Sequence, residues 1–83
     1  MNIPIGSVIS FTRTHPFNGD KYDLIGEYVN TATFGTRMII IKVIEGLNHK
    51  KAEQYFPIDV LNTAIILYPN VTAFYDENPE YLL

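Results

Sequence analysis

The alternation of apolar and polar positions changes character along the chain, and each change predicts an element. Residues 37–44, Arg-Met-Ile-Ile-Ile-Lys-Val-Ile, are mostly apolar and stop at Glu45-Gly46. A run this short and this rich in β-branched residues favours a strand covered on both faces over a helix, where branching at Cβ restricts χ1. The segment is expected to form the middle of the sheet. Upstream, Ile9 and Phe11 alternate with Ser10 and Thr12 over residues 7–12, the period of a strand with one wet face onto which the Ser7 and Ser10 hydroxyls point. Leu24 and Tyr28 against Ile25 and Val29 predict another strand over 24–31, with Gly26 marking a bulge or bend.

The connections follow from turn chemistry. Residues 13–23 form a long exposed loop or hairpin tip, because His15 precedes a proline and Asn18-Gly19 suits a turn with positive φ. Residues 32–36 make a short connection with Gly35 as its permissive point, and residues 45–51 a polar link. Gln54-Tyr55-Phe56 is a fourth strand that Pro57 limits to an edge or a strand end, residues 58–62 are a tight turn, and 64–68 are the last strand. Two helical readings compete: Asp59 as the N-cap of a helix through Tyr68, or a helix over 50–56. Either would make the chain α+β with one short helix within residues 50–68. Residues 70–83 read as an appendage in which Asn78-Pro79 opens a turn or short helix.

The expected fold is therefore all-β and mainly antiparallel. About five short strands, a glycine in the second, an apolar third and a Pro-Ile-Asp-Val-Leu turn before the last resemble the layout of SH3-like small barrels over residues 5–69. The implied organisation is a five-stranded barrel domain, residues 1–69, and a C-terminal tail, residues 70–83, that can dock on it. SH3-like barrels include peptide binders, nucleic-acid binders and structural domains, so the layout by itself assigns no function.

Composition narrows the classes. Eighty-three residues suffice for one core but not for the layered sheet of a nucleotide-binding enzyme. Without cysteine there is neither a disulfide framework nor a thiolate metal site. Met1-Asn2-Ile3-Pro4 lacks the start of a signal peptide and no apolar run approaches a membrane span, so a soluble, cytoplasmic protein is expected, with a small bacterial or phage accessory protein as its setting. Nine acidic and six basic residues give a net charge of −3. Asp76, Glu77 and Glu80 put that excess in the tail and leave the body neutral, which argues against binding driven by phosphates.

Candidate chemistry is sparse. His15 and His49 have no partner at metal-ligand spacing, Asn18 to Asp23 fails the calcium-loop pattern, and no phosphate loop or nucleophile elbow is present. Glu27 and Glu45 could approach as a carboxylate pair across adjacent strands, which is more simply a wet sheet face. No cofactor is expected, and the chain is expected not to be an enzyme. Asn78-Pro79-Glu80-Tyr81 has the Asn-Pro-x-Tyr form found in receptor tails, and Asn70-Val71-Thr72 is a formal glycosylation sequon; both are treated as chance matches.

The leading expectation is a protein-binding module. Tyr22, Tyr28, Phe34, Arg37, Tyr55, Tyr75 and Tyr81 are its candidate binding residues: aromatics around 22–34, an edge strand near Tyr55 and an aromatic, acidic tail. The alternative is a single-stranded nucleic-acid binder, with Tyr28, Phe34 and Tyr55 interleaved with Arg37, Lys42, Lys50 and Lys51. A third reading is a structural subunit that self-associates through a sheet edge.

Overall fold

The computed structural model describes residues 3–45 and 53–82. Its order is β1 (Val8–Thr14), β2 (Lys21–Phe34), β3 (Thr36–Glu45), β4 (Glu53–Pro57), a 3-10 helix (Ile58–Thr63), β5 (Ile65–Tyr68), α1 (Val71–Glu77) and a terminal 3-10 turn (Pro79–Leu82). The five strands form one antiparallel sheet in the order β4-β3-β2-β1-β5. The sheet is not closed, since β4 and β5 stand as its two outer strands.

The middle position belongs to β2 rather than to the apolar β3. β2 is a strand of 14 residues, pairing with β1 through its first half and with β3 from Ile25 onward. Residues 32–36 are therefore not a connection: pairing runs out to Phe34 opposite Thr36, leaving Gly35 (φ 78°) as the turn. The expected loop at 13–23 likewise contracts to residues 15–20. The His15 N–H donates to the Asp20 carbonyl at 2.7 Å, and Asn18 Oδ1 accepts from the Asp20 N–H at 2.9 Å, an Asx turn that lets both strands extend.

Gly26 lies where β2 pairs with both neighbours at once, opposite Ile9 of β1 and Val43 of β3. The register against β3 slips between Ile25 and Gly26, and a Cβ at position 26 would sit 2.9 Å from the Lys42 carbonyl oxygen and collide with the Ile41 side chain. Both halves of β2 contribute to one core, Leu24 and Tyr28 packing with Ile9, Phe11, Ile39, Ile41, Val43 and Phe56. Phe11 meets Phe56 edge to face at 5.3 Å, a favoured aromatic geometry.

The 3-10 helix closes one end of this core with Val60. Its Thr63 hydroxyl oxygen accepts from the Thr12 N–H at 2.9 Å and donates to the Val60 carbonyl at 2.8 Å, tying the helix to β1. The longer helix from Asp59 to Tyr68 does not form; the turn ends at Thr63 and β-branched Ile65 and Ile66 enter β5. The helix considered over 50–56 is replaced by strand from Glu53, its first residues lying outside the described ones.

The one α-helix among the described residues, α1, lies beyond residue 68, within the segment expected to be an appendage. Asn70 caps it, its Oδ1 accepting from the Ala73 N–H at 2.8 Å. α1 lays Phe74 on Val8 and Ile44, with Ile25, Tyr68, Val71, Tyr75 and Tyr81 packed around them. Phe74 gathers the rings of Tyr68, Tyr75 and Tyr81 within 5.2–5.4 Å. The sheet thus carries its main core on one face and this smaller aromatic cluster on the other.

Candidate functional site

The seven residues singled out from sequence are dispersed by the fold. Tyr28 is enclosed in the main core and Tyr22 is half-buried against it. Tyr75 and Tyr81 are half-buried around Phe74. Phe34 closes β2, while Arg37 and Tyr55 are exposed on β3 and β4. Register separates these last two: Arg37 shares the parity of core-facing Ile39 and Ile41, whereas Tyr55 lies opposite Ile40 on the other face. His49, Lys50 and Lys51 lie outside the described residues.

Other candidate chemistry is absorbed by local structure. Glu27 stands across from Lys42, and Glu45 across from Ile25, so the two carboxylates are not a pair. Asp23 accepts from the Thr12 hydroxyl at 2.7 Å. Ser7, expected on a wet face, is buried where the chain enters β1, its carbonyl accepting from the Tyr28 N–H. Among the described residues no group of three or more His, Asp or Glu side chains is placed to hold a metal ion, and no helix is long and apolar enough to cross a membrane.

The Asn-Pro-x-Tyr segment is used internally. The Asn78 side-chain amide donates to the Phe74 carbonyl at 2.9 Å and to the Tyr68 hydroxyl at 3.3 Å, and the Tyr81 N–H returns to the Asn78 carbonyl at 3.1 Å. The Tyr81 hydroxyl donates to Glu45 on β3. That bond, followed by burial and the negative charges of Glu45 and Glu80, raises the Tyr81 phenol above its ordinary range.

The two sheet edges differ in chemistry. On β4, Glu53 brings charge and Pro57 offers no N–H, both devices that discourage strand addition. β5, Ile-Ile-Leu-Tyr, has neither. Ile65, Ile66 and Leu67 are 64%, 46% and 40% exposed, on a strand whose strand partner among the described residues is β1 alone. The register slips between Val8 and Ile9, so that Leu67 has no residue opposite it.

Leu67 also forms a wall of an open groove of about 510 Å³ on the aromatic face, with Ile25, Tyr68, Phe74 and Tyr81 as its apolar lining and Glu77 at its side. The Tyr68 hydroxyl donates to Glu77 at 2.8 Å, fixing that carboxylate beside the groove. A second cleft, of about 350 Å³, lies between the end of β1 and the 3-10 helix, where Arg13 and Asp59 contribute opposite charges. The Arg13 guanidinium sits 5.2 Å above the Phe56 ring. At the β1–β2 tip Phe17 is 92% exposed, touched by the His15 ring at 5.7 Å.

Sequence reasoning passed over β5 as a site. Ile65-Ile66-Leu67 has the composition of a core strand, and only the strand order places it at an edge. No protein-family model, curated protein or solved structure matches this chain.

Proposed function

We propose that this chain is a small, non-enzymatic protein-binding module on an SH3-like strand arrangement, and that it recognises its partner through the outer edge of β5. The SH3-like reading is supported by β1 lying between β2 and β5, by the long β2 shared along the sheet, and by the 3-10 turn just before β5. The observation that carries the function is the contrast between edges. β4 is protected by Glu53 and Pro57, while β5 combines an outer strand edge with three consecutive exposed apolar side chains. Backbone groups along such an edge give a peptide strand its affinity, and alternate side chains give it specificity.

Screening a displayed peptide library with the whole chain and with Ile65→Lys tests this. Extended sequences should be recovered by the wild type and lost with the variant, whose thermal melt should match wild type because position 65 is exposed. Recovery of the same peptides by both proteins would overturn the assignment to β5. Oligonucleotide binding that weakens steeply with salt would favour the nucleic-acid alternative, and a concentration-dependent dimer in sedimentation the self-associating one.

A further inference from the structure

The surroundings of β5 specify a partner more narrowly than an apolar edge alone would. Successive strand residues face opposite sides of a sheet, so a strand added beside β5 meets two different surfaces. On the main-core side it meets Ile66, which lies across from buried Ile9. On the other side it meets Ile65, across from Ser10, and the groove that Leu67 shares with Ile25, Phe74 and Tyr81.

The second surface is apolar at its floor and acidic at its margin. Glu77 lines the groove, Glu80 acts electrostatically on Tyr81, and Glu45 holds the Tyr81 hydroxyl. Among the described residues the lining of the groove includes no Lys, Arg or His, and residues 53–82 contain Glu53, Asp59, Asp76, Glu77 and Glu80 but no basic residue. Long cationic side chains suit such a place, laying an aliphatic stem on apolar surface while the charged head reaches the carboxylates.

A second copy of this chain is the poorer occupant. Symmetric pairing of β5 would bring two acidic margins together, and a strand of four residues offers far less than the roughly 800 Å² per partner of a standard stable interface.

We infer that β5 and the adjoining groove bind an extended segment of a partner protein, taken up as a sixth strand, with apolar side chains facing Ile66 and Lys or Arg side chains facing the groove. This rests on the protein-binding function proposed above and adds the chemistry of the partner.

The test uses the whole chain and six-residue peptides with blocked ends, alternating Val with Lys, Gln or Glu, and N-methylated along one edge so that they cannot stack. Binding is followed through the amide resonances of β5 at low and high salt. The Val/Lys peptide should shift residues 65–68 and bind about tenfold more tightly than Val/Glu, the ratio expected of one or two exposed ion pairs. High salt should narrow that ratio. Glu77→Gln with Glu80→Gln, which keeps an acceptor for Tyr68, should remove most of the Val/Lys advantage and leave Val/Gln unchanged. Equal affinity for all three peptides at β5 would overturn the basic partner while leaving the protein-binding function standing. Failure of every peptide to shift β5 would overturn both. A dimer formed through β5 would overturn the inference in favour of a second copy.

Discussion

Gly26 of β2 packs so closely on Ile41 of β3 that position 26 has no room for a side chain. The nearby Lys42 carbonyl oxygen belongs to the backbone, so relief requires the strands to part rather than a side chain to turn. Gly26→Ala should cost about 3 kcal/mol, the upper part of the overpacking range, and lower Tm by roughly 10–20 °C in a domain of this size. A circular-dichroism melt within a few degrees of wild type would show that β2 and β3 accommodate the methyl group.

Ile41 is fully buried in the main core, so Ile41→Asp should leave an unpaired charge there and prevent folding. Ile41→Val, which removes one methylene, should cost only about 1 kcal/mol and retain a cooperative transition. Denaturant melts of the pair separate loss of volume from burial of charge.

The hydrogen bond from Thr12 to Thr63 joins β1 to the 3-10 helix. Thr63→Val preserves shape but withdraws the acceptor, and should cost about 1–2 kcal/mol with faster hydrogen exchange at the Thr12 amide. Thr63→Ser should retain most of the protection. Slow exchange at Thr12 in the valine variant would mean that another group receives that N–H.

Tyr81 gives a pH signature. Its folded-state pKa is raised by the bond to Glu45, so the stabilisation is complete below the ordinary tyrosine range and is lost as pH rises through the raised value, above about 10. The stability difference between wild type and Tyr81→Phe should stay constant through neutral pH and shrink above about pH 10. Because Tyr81 is only half-buried and its bond to Glu45 is open to solvent, the difference should be no more than about 1 kcal/mol. A difference that grows with alkali would contradict the bond.

Phe74 anchors α1 over Val8 and Ile44. Phe74→Ala should cost about 3–5 kcal/mol, and a chain ending at Pro69 should bare the same surface and bind a hydrophobic dye. Wild-type stability of the shortened chain would establish residues 1–69 as an independent domain.

Local pattern made much of this fold legible. Alternation at Ile9 and Phe11, the glycine at the register slip of β2, the apolar β3 and the proline in β4 all lead to features that are present. Nearest-neighbour chemistry does not reveal which strand is outermost. β3 looked central by hydrophobicity, but it has one fully buried row, Ile39, Ile41 and Val43, because α1 covers only part of the opposite face. Tyr28 looked suited to recognition, yet register turns it inward opposite Ile41. The missed helix had a local signal, Asn70 three residues before Ala73, which the apolar Phe74 and Tyr75 made resemble a docking tail. At the candidate site the gap is widest, since an edge is a property of strand order and not of Ile65, Ile66 or Leu67.

The pairing of Val8 with Tyr68 sets a condition on synthesis. β1 leaves the ribosome before its partners and can form its hairpin with β2 as soon as Lys21–Phe34 has emerged, but its other side has no strand to pair with until β5 follows. Closure of so long a loop makes this pairing slow relative to the local hairpins. Until β5 is made the nascent chain therefore carries Val8 and Ile9 on an open flank, and β5, which remains an edge in the finished molecule, ends the exposure of β1.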